Sequence, residues 1–208
     1  MDTPPRRWLG YSAALLGVFL VLTWIAVAHP RNAVDVRTLH WIAAHRSDAL
    51  TEVVETLTWL GSTAVLYPVL IVAAVALWRR THRWQDIAAL VVALLGGVLL
   101  YTFIKLGVGR ARPPLALATQ RVDGLAFPSG HATQTTAFWA MLAIVASGAW
   151  PAAARWIGLT AVVMVVIVGM TRVYLGAHWV TDVLGGCALG GAWACLVAAG
   201  WTASLRRR

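Results

Sequence analysis

Long apolar runs separated by short polar segments make up most of the chain. Runs of about 18 to 23 residues without a charged side chain recur, and a helix of that length crosses the hydrocarbon core of a bilayer. The pattern predicts six spans, at 8–28, 57–78, 87–104, 132–150, 156–172 and 183–203, of which the fifth has sixteen uncharged residues followed by Arg172. The pattern predicts an all-α fold in which residues 1–208 form a single domain, a six-transmembrane-helix bundle.

The composition supports a membrane protein, since 60% of the residues are hydrophobic and 12% are charged. The first run follows Arg6 and Arg7 and ends in Ala26-Val27-Ala28, which resembles a signal-peptidase site. The apolar region of a signal peptide has only about 7 to 15 residues, so the longer run favours an uncleaved anchor over a signal peptide.

The formal net charge of +9 comes from short basic clusters at the ends of the runs, not from a basic stripe of the kind that binds nucleic acid. If the six spans alternate in direction, one side of the membrane holds Arg6, Arg7, Arg79, Arg80, Arg83, Arg155 and Arg206–Arg208. Cytoplasmic loops of membrane proteins carry the excess of arginine and lysine. We therefore predict that both termini are cytoplasmic and that the other ends of the spans face outside.

Two polar segments fall on the predicted outer side. Residues 32–55 mix charged side chains with apolar ones at helical intervals, which favours short amphipathic helices in the interface, with a solvated linker as the alternative. Residues 105–131 form the second segment, in which glycines and prolines from Gly107 onward prevent a continuous helix. A loop of this length within a compact domain is typical of a functional segment.

The last span contains two features of helix packing. Small residues let helices approach closely, so Gly186 and Gly190 predict a tight contact with a neighbouring helix. Cys187 and Cys195 lie about 12 Å apart along the helix axis, so they cannot form a disulfide with each other. No metal-ligand spacing surrounds them, and we interpret both as packing residues.

An arginine, a histidine and an aspartate lie where the last two spans meet. Sixteen residues without charge precede Arg172 and twenty-three follow Asp182, and ionisable groups at such positions are functional candidates. His178 and Asp182 are four apart, so a helix would place them on one face, where the carboxylate holds one imidazole nitrogen and leaves the other free to attack. The alternative is a helix start with Asp182 as a cap and His178 as an interfacial residue.

Further cations flank the third span. Lys105, the one lysine of the chain, ends that span, and a lysine at this position can also extend to the interface without any other role. Arg112 directly precedes Pro113 in the following loop. The planar guanidinium of Arg112 suits two phosphate oxygens, and Arg110 is a competitor for that role.

The fourth span begins with Pro128, Ser129, Gly130 and His131. Backbone N–H groups at a helix start favour an anion, although a proline-serine-glycine start is also a common capping arrangement. With six alternating spans, the outer ends of spans three to six hold together Lys105, Arg112, Ser129, His131, Arg172, His178 and Asp182. Such a set suits a highly charged oxyanion, and phosphate is the natural candidate.

The order and spacing of these residues resemble the three motifs of the type-2 phosphatidic acid phosphatase family. The matching motifs are Lys105 with Arg112-Pro113, then Pro128-Ser129-Gly130-His131, then Arg172 with His178 and Asp182. One small departure is Thr171, where members of the family often have serine. The family also contains polyprenyl diphosphate and phosphatidylglycerophosphate phosphatases, soluble acid phosphatases and vanadium haloperoxidases.

The resemblance implies a role for each matching residue. His178 attacks phosphorus to give a phosphohistidine, Asp182 fixes its tautomer, and His131 protonates the leaving oxygen and then activates water. The phosphate oxygens are held by Lys105, Arg112, Ser129, the N–H of Gly130 and Arg172. The resemblance implies no metal and no cofactor, and the predicted outer side has no carboxylate cluster suited to magnesium.

These features predict a metal-independent lipid phosphatase with its active site at the outer membrane–water interface of a bacterial plasma membrane. The expected partner is a lipid phosphate within the bilayer, since a soluble phosphoester would not require six spans. Undecaprenyl diphosphate, phosphatidylglycerophosphate and phosphatidic acid all fit, and the residues leave this choice and the oligomeric state open. The alternative is a non-enzymatic anion transporter or scaffold, against which two histidines with an orienting aspartate argue. The six predicted membrane spans argue against vanadate-dependent haloperoxidase chemistry.

Overall fold

A computed structural model describes residues 5–119 and 121–206. These residues form helices and contain no strand, which confirms the predicted all-α fold. The helices are α1 (Pro5–Ala28), α2 (Ala33–Ala44), α3 (Asp48–Leu57), α4 (Thr63–Thr81), α5 (Trp84–Val108), α6 (Gly130–Ala149), α7 (Ala154–Tyr174) and α8 (Val180–Leu205). Arg207 and Arg208 of the predicted cytoplasmic tail lie outside the described residues.

Five helical segments are long and apolar enough to cross a membrane, namely α1, α4, α5, α8 and the stretch from Pro151 through α7. Their apolar side chains are exposed on the outside of the bundle, for example Val72 at 70% and Phe103 at 68%. Apolar surface of this extent is stable in hydrocarbon and not in water. The chain is therefore a multi-pass membrane protein.

The helix α6, predicted as the fourth span, differs from these five segments in composition. Polar residues fill its first turns, and Thr133, Gln134 and Thr135 are buried. Because α5, α7 and α8 pack around α6, these side chains face other helices and not lipid. The lower hydropathy of α6 thus follows from its position at the centre of the bundle.

The helix of the second predicted span, α4, begins at Thr63 and not at residue 57. Residues 57–62 instead hold the end of α3 and a 3-10 turn, Thr58–Gly61. The hydroxyl of Ser62 sets the boundary, because it accepts a hydrogen bond from the N–H of Val65 at 3.3 Å and so caps α4. The 3-10 turn packs against α6 and α7. Its residues are therefore apolar because they contact other helices, although they are not part of the membrane span.

The segment 32–55 forms α2 and α3, so it is not an extended linker. The side chain of Asn32 accepts a hydrogen bond from the N–H of Asp35 at 3.0 Å, and the hydroxyl of Ser47 accepts one from the N–H of Leu50 at 3.4 Å. These caps start α2 and α3. Both helices contact α7, and α2 also contacts α8. The two short helices therefore cover the end of the bundle where α7 ends and α8 begins.

The loop 105–131 becomes irregular later than its glycines predicted. Helix α5 continues through Gly107 to Val108, and it ends at Gly109, whose φ of 68° is a left-handed conformation that glycine adopts readily. Beyond Gly109, the described part of the loop contains a 3-10 turn at Leu115–Leu117 before α6 begins.

Gly186 and Gly190 of α8 face α6 at short distance, which confirms the predicted packing motif. A Cβ atom at Gly186 would lie 2.7 Å from the carbonyl oxygen of Ser129, and a Cβ atom at Gly190 would collide with the carbonyl oxygen of Thr133. Because these positions have no room for a side chain, α6 and α8 pack backbone to backbone.

The opposite end of the bundle holds a cluster of tryptophans and aliphatic residues. Trp8 at the start of α1 packs there with Leu77 near the end of α4, Trp150 just after α6 and Trp201 near the end of α8. The Nε of Arg80 also donates to the carbonyl of Ala149 at 3.1 Å. The basic residues that flank these helix ends therefore lie together, far from α2 and α3.

Candidate active site

Four helix ends meet around the predicted site residues. These ends are the last turn of α5 with Lys105, the first turn of α6 with His131, the last turn of α7 with Arg172 and the first turn of α8 with Asp182. The N–H of Ser129 donates to the carbonyl of Asp182 at 2.9 Å, which joins the starts of α6 and α8. The N–H of His178 donates to the carbonyl of Arg172 at 3.3 Å. The structure thus brings all of the predicted residues to one end of the bundle.

His178 lies in the turn before α8, whereas its spacing from Asp182 predicted one helix face for both. Because α8 begins at Val180, that prediction is wrong about the backbone. The side chains still approach each other, with 3.4 Å between Nδ1 of His178 and Oδ2 of Asp182. This distance is longer than a well-formed hydrogen bond, and such contacts often tighten when substrate binds. The same oxygen accepts the N–H of Trp179 at 2.9 Å, so Asp182 is also the predicted cap.

The other nitrogen of His178, Nε2, faces Arg112, with 3.2 Å between Nε2 and Nη1 of the guanidinium. Burial, together with the charges of Arg112, Arg172 and Lys105, lowers the pKa of His178 well below its ordinary value. The ring is therefore neutral at neutral pH. Since a guanidinium can only donate, Nε2 is unprotonated and its lone pair faces Arg112, and Nδ1 bears the proton on the side of Asp182. The lone pair becomes available for attack when Arg112 donates to a phosphate oxygen instead. An imidazole in this state is a competent nucleophile.

Arg172 is held by Thr58, a residue to which the sequence did not point. Nη1 of Arg172 donates to the hydroxyl of Thr58 at 2.9 Å, and the hydroxyls of Thr58 and Thr171 are 3.1 Å apart. Among the described residues, Nε of Arg172 has no hydrogen-bond partner. A buried donor without a partner favours an anionic ligand. Thr58 and Arg172 are 114 residues apart, so no sequence spacing could have predicted their contact.

Lys105 donates its hydrogen bonds to the loop that follows α5. Its Nζ is 2.6 Å from the carbonyl oxygen of Leu125 and 3.3 Å from that of Ala126. The lysine therefore holds the loop against the end of α5 while its charge acts on His178. An ammonium group has three donors, so these two carbonyls leave one donor of Nζ for a phosphate oxygen.

Ser129 is buried and acts as the cap of α6, as the capping alternative predicts. Its hydroxyl accepts a long hydrogen bond from the N–H of Ala132 at 3.5 Å. The N–H groups of Gly130 and His131 lie in the first turn, where a helix supplies no carbonyl to accept them. The charge of Arg172 acts on the imidazole of His131, so this helix start and the arginine lie close together.

Arg110 and Arg112 occupy different environments. Arg110 is 3% exposed, and its guanidinium donates to the carbonyl of Pro30, the hydroxyl of Thr181 and the carboxylates of Asp35 and Asp182. Each nitrogen of this group therefore has an acceptor within the protein. Within the described ranges, Arg112 donates only to backbone carbonyls, those of Asp123, Gly124 and Ala177, and its Nη1 also faces Nε2 of His178. The geometry favours Arg112 as the phosphate-binding member of the pair.

A cavity of about 410 Å³ adjoins the site next to His131 and Arg172. Its other lining residues are Glu55, Thr58, Trp59 and Ser62. They come from the end of α3, the 3-10 turn and the cap of α4, so residues 55–62 supply one wall of the site. Glu55 belongs to the predicted outer segment and the other three residues to the predicted second span, and none of the four was predicted to line the site.

Positive side chains supply the charge at the site. In the part of the chain that the structure describes, no group of three or more His, Cys, Asp or Glu residues is arranged to hold a metal ion. Lys105, Arg112 and Arg172 lie close enough to His178 for their charges to act on it. A phosphate group placed among these residues would be balanced by charge-assisted hydrogen bonds.

A comparison with protein families connects this geometry to known proteins. A family model described as the PAP2 superfamily matches residues 86–206, more than half of the chain. The chain belongs to the PAP2 superfamily. The matched region contains all of the predicted site residues from Lys105 to Asp182, and it leaves out the outer segment with Asp35, Glu55 and Thr58.

Individual PAP2 proteins resemble the chain over most of its length. Phosphatidylglycerophosphatase B of Bacillus subtilis is 30% identical over 181 residues, which cover 84% of this chain and 88% of that protein. A lipid A 1-phosphatase of Rhizobium etli is 31% identical over 183 residues, covering 75% of this chain and 73% of the relative. The crystal structure of a transmembrane PAP2-type phosphatidylglycerolphosphate phosphatase from Bacillus subtilis matches with a TM-score of 0.86 and 27% identity, over 94% of this chain and 98% of that one. The bundle is therefore the transmembrane PAP2 fold.

Proposed function

We propose that this PAP2 protein is an integral membrane lipid phosphatase that cleaves a phosphate ester through a phosphohistidine at His178. One observation carries the proposal: Nε2 of the buried, neutral His178 lies 3.2 Å from the guanidinium of Arg112, with Asp182 behind Nδ1. This arrangement brings a nucleophile and an anion-binding group to the same point. The names of the relatives, which specify lipid phosphates, support a lipid substrate.

In the first step, the lone pair on Nε2 of His178 attacks phosphorus. A nitrogen–phosphorus bond forms while the bond from phosphorus to the leaving oxygen breaks, and His131 donates a proton to that oxygen. The bound phosphate dianion favours the protonated form of His131 before this transfer. The imidazole of His178 becomes positively charged next to Asp182. Arg112 and Arg172 hold the phosphoryl oxygens, which is most of what phosphoryl transfer requires of a protein.

In the second step, His131 acts as a base. It takes a proton from a water molecule, whose oxygen attacks the phosphorus of the phosphohistidine. The nitrogen–phosphorus bond breaks, its electron pair returns to Nε2 of His178, and inorganic phosphate leaves. The water proton stays on His131, which is then ready to protonate the next leaving group.

Purified protein in detergent tests the proposed function directly. Release of inorganic phosphate is measured from phosphatidylglycerophosphate, phosphatidic acid and undecaprenyl diphosphate in parallel. We expect turnover of at least one lipid and a phosphorylated protein intermediate that strong acid destroys, as it does phosphohistidine. Failure to release phosphate from all three lipids, or an acid-stable intermediate, would contradict the proposal.

We further propose that the site faces the outside of a bacterial plasma membrane and that both termini are cytoplasmic. The support is the basic residues at the bundle end opposite to the site, including Arg79, Arg80, Arg83 and Arg155. Arginine-rich ends of membrane helices remain on the cytoplasmic side. The lipid tail then stays in the bilayer while the phosphate reaches the helix ends at the interface.

The cavity beside His131 favours a phosphate monoester on a hydroxyl-bearing headgroup. Because His131 protonates the leaving oxygen, the leaving group lies on its side of the site, next to Glu55 and Thr58. A carboxylate accepts hydrogen bonds from hydroxyl groups and repels a second phosphate. The leaving group of a diphosphate is itself a phosphate, so Glu55 disfavours undecaprenyl diphosphate relative to a monoester whose leaving oxygen is bonded to carbon and carries no adjacent charge.

Substitution Glu55→Gln is therefore expected to change substrate preference. Loss of the negative charge should raise kcat/KM for undecaprenyl diphosphate about ten-fold relative to that for phosphatidic acid, whose leaving group, diacylglycerol, carries no charge. Both rates are measured on the same purified variant. Glu52→Gln is the matched control, because Glu52 lies on the same helix, carries the same charge and does not line the cavity. An unchanged ratio in Glu55→Gln would contradict a role of Glu55 in selection.

Removal of divalent metal ions is expected to leave activity intact, because arginine and lysine side chains supply the positive charge in the proposed mechanism. The initial rate of phosphate release is compared before and after dialysis against EDTA. Loss of turnover that magnesium restores would contradict the metal-independent mechanism.

A further inference from the structure

A buried network of charges connects α2 to the proposed nucleophile. The guanidinium of Arg110 lies between two carboxylates, with 2.7 Å from Nη2 to Oδ2 of Asp35 and 2.6 Å from Nη1 to Oδ1 of Asp182. The side chains of all three residues have no exposed surface. The other oxygen of Asp182 lies 3.4 Å from Nδ1 of His178. The carboxylate of Asp35 is therefore connected to the imidazole through Arg110 and Asp182.

Further hydrogen bonds fix the carboxylate of Asp35 against the first turn of α8. Its Oδ1 accepts the N–H of Thr181 at 3.0 Å, and its Oδ2 accepts the hydroxyl of Thr181 at 2.6 Å. The side-chain amide of Asn32 donates to Oδ2 at 2.6 Å. Thr181 directly precedes Asp182, so Asp35 holds this turn both through the backbone and through Arg110.

The charges of this network do not cancel. Asp35, Asp182 and Arg110 together carry one net negative charge, whereas Arg110 and Asp182 alone would form a neutral pair. A buried net charge is costly unless another group balances it. The charges of Lys105 and Arg112 act on Asp182 and balance this charge in part, and the imidazole of His178 adds a further positive charge when it attacks phosphorus. The negative charge is thus in place before the positive charge develops, which is how a preorganised site stabilises a transition state.

We propose that Asp35 is a positioning residue for phosphoryl transfer, which fixes Arg110 and the first turn of α8 so that Asp182 stays aligned beside His178. This inference rests on the proposed function. Asp35 does not reach the phosphate and acts through Arg110 and Thr181. It lies outside residues 86–206, so the outer segment supplies this group to the site from beyond the region that the PAP2 family model matches.

A double-mutant cycle tests this inference. We measure kcat and KM with phosphatidylglycerophosphate for the wild-type protein, Asp35→Asn, Asp182→Asn and the double variant, each purified as a monodisperse species. Asp35→Asn alone is expected to lower kcat about ten-fold with little change in KM. In the Asp182→Asn background, the same substitution is expected to change kcat less than about two-fold, because the carboxylate through which Asp35 acts is already lost.

Equal effects of Asp35→Asn in both backgrounds would overturn the inference, since Asp35 would then act independently of Asp182. A higher KM with unchanged kcat would overturn it as well. Asp48→Asn is the matched control, because it removes an exposed carboxylate from the first turn of the neighbouring helix α3. This control is expected to retain wild-type kcat.

Single-turnover mixing separates chemistry from folding for the Asp35→Asn variant. The amplitude of phosphohistidine formation counts competent sites, and the rate constant reports the transfer step. We expect a lower rate constant; a lower amplitude with the wild-type rate constant would show a purely structural role and overturn the inference. Absence of phosphohistidine in the wild-type protein would contradict the proposed function itself, and this inference with it.

Discussion

His178→Ala is expected to lower kcat for lipid phosphate hydrolysis about a thousand-fold or more, because it removes the nitrogen that forms the bond to phosphorus. The remaining cations still bind the phosphate, so KM should change much less than kcat. The variant should also form no phosphorylated intermediate. The measurements are phosphate release in detergent and retention of radiolabelled phosphate on the protein after rapid denaturation at alkaline pH.

His40→Ala is the matched control for this substitution. His40 is an exposed histidine on α2, and its loss should leave both kcat and labelling unchanged. Full phosphate release by His178→Ala would contradict the nucleophilic role. It would then favour the alternative in which the basic pocket of a transporter or scaffold only binds an anion.

His131→Ala is expected to show the second largest effect, a loss of about a hundred-fold to ten-thousand-fold in kcat for a lipid monoester. Both steps of the proposed mechanism depend on this imidazole, first as acid and then as base. A substrate with a good leaving group, such as p-nitrophenyl phosphate, does not require the acid. With that substrate, His131→Ala should still be phosphorylated at His178 and should accumulate the phosphohistidine, because water is no longer activated.

Rapid mixing with p-nitrophenyl phosphate measures this outcome as a burst of p-nitrophenol followed by a slow steady rate. The double variant His131→Ala with His178→Ala serves as the control and should show neither burst nor label. If His131→Ala lost the burst entirely, His131 would be required for attack on phosphorus and not for the two proton transfers assigned to it.

The predictable part of the site consists of residues near helix ends. Lys105, His131, Arg172 and Asp182 belong to the ends of apolar helices, and the length of each apolar run sets where those ends occur. Because successive spans cross the membrane in opposite directions, these four ends lie on the same side. Pattern and spacing were therefore sufficient to identify these positions before any contact was known.

Residues of the outer segment could not be predicted in this way. Its amphipathic pattern indicates helices, but it does not say how α2 and α3 are placed over the bundle, and that placement determines the contacts of Asp35 and Thr58. Which of Arg110 and Arg112 is available to bind phosphate also depends on how α2 is placed over the bundle. These arginines are two residues apart in an irregular loop, and buried partners from α2 and α8 decide which one is held away from the phosphate.

The fold, like the site, could be predicted from the sequence only in part. Hydropathy identified apolar helices because lipid exposure demands them, yet it placed the start of α4 six residues too early, at residue 57 and not at Thr63. The error arose because the 3-10 turn Thr58–Gly61 is apolar for contact with α6 and α7 and not with lipid. Hydropathy reports that a residue avoids water, and it does not distinguish hydrocarbon from a protein neighbour.

Backbone contact at Gly186 and Gly190 also fixes how far α6 and α8 are offset along their axes. His131 belongs to the first turn of α6, and His178 lies just before α8. A slip of one helical turn would shift the two imidazoles by about 5.4 Å relative to each other, which would destroy the alignment around one phosphorus atom that the proposed mechanism requires. In the proposed mechanism, hydrolysis therefore depends on side-chain size at Gly190, a buried residue about 12 Å further along α8 than Asp182.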